Sequence, residues 1–206
     1  MINKELQKRI LSSIILFPIA YYFIISGSYY LIFFTLICFF ISIYEWNKMV
    51  KKIKFKIFGT LFLFFSFYTF YEISNGYLWI FVILVCISTD IGGYFFGKLF
   101  KGPKLIRISP NKTYSGMIGG YLLSLLILKI FFNIYDGNVN ELWFIVTILI
   151  STVSQIGDII VSYFKRLSKV KDTGKIIPGH GGLLDRIDGM IFAFPIFYLI
   201  EQIGFI

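Results

Sequence analysis

The stretch ELWFIVTILISTVSQIGDIIVSYF, Glu141 to Phe164, decides the fold. Its apolar residues do not alternate as barrel strands require, and a helix of about 20 residues already crosses ~30 Å of hydrocarbon. Thr147, Ser151, Gln155, Asp158, Ser162 and Lys165 recur at intervals of four, four, three, four and three, which holds all six on one helical face. An aspartate near the centre of a membrane helix costs roughly 2.5 kcal/mol or more when it faces lipid. The stripe therefore faces a cavity or a partner helix. Interhelical hydrogen bonding accounts for the hydroxyls and Gln155. Asp158 asks for more, because a carboxylate there needs a partner.

Outward from that span the chain repeats the pattern. Apolar blocks at roughly 10–26, 29–47, 57–73, 77–97, 115–135, 141–164 and 188–205 predict an all-α integral membrane protein, a polytopic bundle of about seven transmembrane helices. Hydrophobic residues make up 57% of 206 and charged ones 15%, more apolar material than a soluble core of this length hides. The first block resembles a signal peptide, but Gly27-Ser28 is a poor cleavage site and a second block follows at once. It reads as half of a helical hairpin. A single transmembrane domain over 1–206 is expected, with the hairpin at about 10–47 and the motif-bearing part at about 77–206.

Nineteen of the twenty basic residues fall before block one or after blocks two, four and six, and the intervening turns carry none. The positive-inside rule then puts the amino terminus in the cytoplasm and the carboxyl terminus outside. The exception, Lys129, lies near the outer end of its helix and snorkels. Cys38 and Cys86 lie inside spans without metal-ligand spacing and read as small buried residues.

Chemistry-bearing residues gather at the basic face. STDIGGYFFGK, Ser88 to Lys98, holds Asp90 beside Gly93 and Gly97, a close-packing pair matched by Gly116, Gly120 and Ser124. RISPNKTYSG, Arg107 to Gly116, turns at Pro110-Asn111 into a helix start. There Lys112, Thr113 and free amides suit a phosphate, although Thr113 or Ser115 also suits an ordinary N-cap. KDTGKIIPGHGGLLDRID, Lys171 to Asp188, contains the only histidine, His180, among glycines whose amides can approach a ligand. A charge run alone also reads as a basic tether for anionic headgroups. Interleaved carboxylates favour Mg²⁺ and a polyphosphate, with Asp158 and Asp185 as the pair of ligands.

SYFKRLSKVKDTGKIIPGHGGLLDRID, Ser162 to Asp188, resembles the signature of the phosphatidate cytidylyltransferase (CDP-diacylglycerol synthase) family: S, two residues, KR, four residues, KD, then PGHGG and DRxD. QIGD (Gln155 to Asp158), ISPNKT (Ile108 to Thr113), TDIGGYFFGK (Thr89 to Lys98) and, weakly, YEW (Tyr44 to Trp46) after a hairpin starting LQKRI extend it. The resemblance implies transfer of CMP from CTP to phosphatidic acid, giving CDP-diacylglycerol and pyrophosphate. It implies Mg²⁺ on Asp158 and Asp185, with a second, monovalent cation left open. Lys165, Arg166, His180 and Arg186 would contact substrate phosphates, with Lys112 reaching in. Thr113, Ser162, Lys171, Asp90 and Asp188 complete the expected substrate contacts.

The chain departs from the family pattern in three places. Ser115 stands where the family often has Glu, Gly189 where it commonly has Ser, and one span instead of several separates the basic loop at 48–56 from Asp90. The expected setting is a bacterial inner membrane with the site cytoplasmic, lipids and the two substrates as partners, no nucleic acid, and a homodimer allowed. A CTP-dependent polyprenol kinase, an anion or phosphate-ester transporter and an inactive homologue are the other readings. The outer half of the bundle offers few polar residues for a transport pathway.

Overall fold

The computed structural model describes residues 11, 14, 18–23, 26–74, 76–106, 109, 111–135, 139–179 and 181–206. Seven named helices follow in chain order: α1 Ser28–Met49, α2 Ile53–Ile73, α3 Leu78–Phe100, α4 Tyr114–Tyr135, α5 Glu141–Leu167, α6 Leu184–Ile187 and α7 Met190–Gln202. Among the described residues there is no strand, only isolated bridges at Lys104 with Thr113 and Ile177 with Gly181. Helix satisfies every backbone group within its own segment, which hydrocarbon demands. The ends carry local signals. Val50 is extended and its N–H closes on the Trp46 carbonyl, while α5 begins on Glu141 and ends on Lys165 and Arg166, the charge order its dipole favours.

Helices α1 to α5 are long and apolar enough to cross a membrane. Large apolar side chains such as Tyr29, Phe58, Phe64 and Leu122 point outward on them, as lipid contact requires. The protein is an all-helical membrane protein. The seventh expected block differs from its prediction: its helix, α7, has 13 residues, about 20 Å of rise against ~30 Å of hydrocarbon. The chain spends Leu184 to Gly189 on the four-residue helix α6 and a turn before α7 starts. About half of the first expected block lies outside the described residues.

Internal packing separates the chain into two compact units, Met1–Phe67 with Phe164–Ile187, and Tyr68–Tyr163 with Asp188–Ile206. In the first, the Trp46 indole N–H donates to the Phe55 carbonyl at 3.1 Å and the indole packs edge-on to Phe164 at 4.9 Å. Gly59 leaves room for that indole, since any Cβ there would overlap the ring. In the second unit, α3 and α4 meet backbone to backbone. A Cβ at Gly92 would lie 2.8 Å from the Gly119 carbonyl carbon, and one at Gly116 would lie 2.6 Å from the Gly93 oxygen. The expected small face is thus real, with Gly92 and Gly119 added to it. Further along, buried Phe81, Phe131 and Phe132 cluster with the half-buried Trp143, with Phe132 and Trp143 centroids 4.6 Å apart.

Candidate active site

In the first unit the chain leaves α5 after Leu167. The Val170 amide closes the helix end on the Lys165 carbonyl at 2.9 Å, and Lys169 takes a left-handed conformation, φ 58°. The chain then turns at Pro178-Gly179, where the Ile177 amide reaches the Gly181 carbonyl at 2.9 Å, and enters α6 through Gly181 at φ +88°. This path wraps two carboxylates. Asp185 accepts from Lys165 Nζ at 2.8 Å on Oδ1, and on Oδ2 from the Thr173 amide at 2.8 Å, its hydroxyl at 3.0 Å and the Gly182 amide at 3.0 Å. Glu45, from α1, accepts from the Leu183 amide at 3.1 Å, the Leu184 amide at 2.9 Å and the Thr173 hydroxyl at 3.1 Å.

Burial raises the Asp185 pKa, but the Lys165 hydrogen bond, the Gly182 amide, the Lys165 charge and the Thr173 amide together outweigh it. The carboxyl ends below its ordinary value. Asp185 and Lys165 side chains are only 5% and 12% exposed, so the pair is weakly screened. The glycines were expected to bring amides to a ligand. The Gly182 amide instead serves Asp185, and Gly174 and Gly182 are glycine because a Cβ on either would overlap the Glu45 carboxylate.

The second unit holds Asp158. Its Oδ2 pairs with Lys112 Nζ and its Oδ1 accepts from the Ser162 hydroxyl at 3.2 Å, four residues on along α5. Both side chains of that ion pair stay partly open, 30% for Asp158 and 22% for Lys112. They line a cavity of about 290 Å³ together with Asp90, Thr89, Asn111 and Gln155. The rest of the polar stripe is mostly structural. Thr147 donates back to the Trp143 carbonyl at 2.6 Å, and Ser151 accepts from Thr89 of α3 at 2.8 Å.

Every expected site residue but His180 has a definite place. Asp90, Lys112, Thr113 and Asp158 come together at the cavity, and Lys165 and Asp185 pair in the other unit. Thr113 accepts from the Gly116 amide at 3.1 Å, the N-cap alternative of the two it carried. Ser162 contacts Asp158 and is nearly buried. Arg166, Lys171 and Arg186 are exposed, Arg166 donating to the Val170 carbonyl at 3.4 Å. Asp188 is buried and accepts from the Gly189 amide at 3.0 Å. His180 lies outside the described residues. Asp158 and Asp185 fall in different compact units, and among the described residues no group of three or more His, Cys, Asp or Glu is arranged to hold a metal ion.

Sequence reasoning missed Glu45 and Thr173. Glu45 is the only acid in α1, and an acid in an otherwise apolar helix was the available signal.

Comparison with known proteins follows the same residues. Residues 52–203 match the cytidylyltransferase family. Phosphatidate cytidylyltransferase of Staphylococcus saprophyticus is 45% identical over 120 residues, 57% of this chain and 46% of the relative. The protein of that name from Staphylococcus haemolyticus is 45% identical over 127 residues, 60% of this chain and 48% of its own. That from Staphylococcus aureus strain COL is 43% identical over 136 residues, 64% and 52%. The matched stretches thus span about half the length of these relatives. The family match runs from the α1–α2 connection to the end of α7 and takes in both carboxylate–lysine pairs, and on that match the chain belongs to the cytidylyltransferase family.

Proposed function

We propose that the chain transfers CMP from CTP to phosphatidic acid, releasing pyrophosphate and leaving CDP-diacylglycerol in the bilayer. The observation that carries this reading is the pair of lysines, Lys165 and Lys112, each held by its own carboxylate in a chain of this family. In the reaction an oxygen of the lipid phosphate bonds to the α-phosphorus of CTP, and the bond from that phosphorus to the bridging oxygen breaks. The nucleophile is already ionised at neutral pH, so the protein's tasks are to position the groups and offset charge. Lys165 and Lys112 are preorganised ammonium donors for phosphate oxygens, fixed by Asp185 and Asp158 and so spared reorientation as charge builds. Arg166, His180 and Arg186 supply further phosphate contacts, with Lys171, Thr113, Ser162, Asp90 and Asp188 as supporting contacts.

Mg²⁺ is part of the proposal. Asp158 and Asp185 are hard oxygen donors, and each keeps lone-pair capacity: Asp185 Oδ1 has one donor, and each Asp158 oxygen has one. Mg²⁺ commonly takes one or two carboxylates and fills its shell with phosphate oxygens and water. Bound there, it would supply Lewis-acid stabilisation of the phosphoryl oxygens.

We place the site at the cytoplasmic face of a bacterial inner membrane, with the amino terminus inside, in one transmembrane domain of about seven membrane segments, the last of them the short α7, able to form a homodimer. The distribution of Lys and Arg supports that orientation.

The test is a micelle assay with phosphatidic acid, labelled CTP and Mg²⁺, run beside Asp158→Asn and EDTA controls. CMP label entering lipid with stoichiometric pyrophosphate, lost in both controls, is the expected result. Transfer of the γ-phosphoryl to an added polyprenol would replace the proposal with the kinase reading, and normal turnover by Asp158→Asn would sink the metal assignment.

A further inference from the structure

Glu45 is 1% exposed, and its three donors, the Thr173 hydroxyl and the Leu183 and Leu184 amides, all come from the loop and the start of α6. A buried carboxylate without such donors would cost several kcal/mol, so Glu45 and the loop depend on each other. The consecutive amides of residues 182, 183 and 184 are divided between two acids, the first to Asp185 and the next two to Glu45. Thr173 sits between them, its oxygen 3.0 Å from Asp185 Oδ2 and 3.1 Å from Glu45 Oε2, with one proton for both. Gly174 and Gly182 show that the loop is moulded on the Glu45 carboxylate, since a Cβ at either would collide with it.

We propose that Glu45 is a positioning residue: through Thr173 and the Leu183 and Leu184 amides it fixes the Gly-rich loop, and thereby holds Asp185 where it orients Lys165. Its role in turnover rests on the transferase reading; its anchoring of the loop does not. Without the Glu45 oxygens the two amides lose their acceptors and compete for Asp185, whose Oδ1 then no longer holds the Lys165 ammonium. Glutamine in its place keeps the shape but offers one acceptor oxygen for three donors and turns an NH₂ group towards an amide N–H.

Two readouts on the full chain in phosphatidylglycerol vesicles separate these claims. Trypsin cleavage after the exposed Lys171 and Lys175 reports loop opening without any reaction. Losing hydrogen bonds to a charged acceptor should speed it about tenfold to hundredfold in Glu45→Gln and in Thr173→Val, with Thr173→Ser close to wild type. Transfer from CTP to phosphatidic acid should lose a similar factor in kcat, with KM for the lipid within twofold and Thr173→Ser again restored. Wild-type cleavage rates in both Glu45→Gln and Thr173→Val overturn the proposal. Faster cleavage with unchanged kcat overturns the positioning role, leaving Glu45 only structural. Faster cleavage in a protein whose wild type transfers no CMP upholds the anchoring and overturns the transferase reading. If Glu45→Gln fails to fold, the Thr173→Val and Thr173→Ser pair decides alone.

Discussion

Replacing Asp185 by Asn tests the first-unit geometry most directly, because the side chains share a shape and differ in what they accept. Asp185 Oδ2 takes three donors and Oδ1 takes Lys165, so the amide oxygen of Asn settles at the Oδ2 position and its NH₂ faces the ammonium. The Lys165 hydrogen bond is lost and two donors are set against each other. Removing one partner of a buried pair costs about 3–5 kcal/mol; with Lys165 12% exposed and able to turn towards water, the low end, ~3 kcal/mol, is expected. At 1.4 kcal/mol per decade that is roughly a hundredfold larger open population of the loop. Hydrogen exchange read by mass spectrometry on a peptide covering 171–187 should therefore speed about a hundredfold in Asp185→Asn, while a peptide from the α3–α4 contact is unchanged. Exchange within twofold of wild type would refute the reasoning, since it would mean that the four hydrogen bonds to Asp185 do not hold the loop.

The same carboxyl sets a pH dependence. Its folded pKa lies below the ordinary value, so its stabilisation is complete above the unfolded value of about 4 and is lost as pH falls through the lower folded value. Protection of 171–187 should be flat from pH 7 to 5 and decline from about pH 4 downward, and Asp185→Asn should lack that step. At the α3–α4 contact, Gly92→Leu has no space against Gly119 and Gly120, and should lower detergent stability by about 1–3 kcal/mol or more in a thermal unfolding assay. Thr113→Val removes the hydroxyl that caps α4 and should cost about 1 kcal/mol in the same assay, a loss that Thr113→Ser restores.

Much of the architecture was legible because membrane helices announce themselves locally: length and apolar content place α1 to α5 without knowledge of any partner. The α3–α4 contact was legible for the same reason, since small residues at helical spacing state the close approach they permit. The last block misled because its composition stays apolar while Asp188 and Gly189 form a turn and the helix ends at Gln202, leaving α7 at 13 residues. Asp158 stood out as a carboxylate in an apolar span and Asp185 as one interleaved with basic residues, and Lys112 and Lys165 prove to be the cations beside them. The pairing of Glu45 with Thr173 was illegible for a physical reason. Their hydrogen bond joins residues 128 apart, and no local periodicity encodes which distant loop a lone buried acid will meet. At Gly182 the close approach was legible but not that the Glu45 carboxylate is what approaches, because the absence of a side chain says nothing about the group that fills the space.

The 128-residue separation also has a consequence for the order of assembly. At about 5–20 residues per second of synthesis, Glu45 leaves the ribosome roughly 6 to 26 seconds before Thr173 does. Throughout that interval α1 carries a carboxylate whose acceptor sites must be met by water or by other donors. Helix α1 is therefore a provisional structure, finished only when residues 173–184 arrive, and that wait is the period in which quality-control proteases have their best access to it.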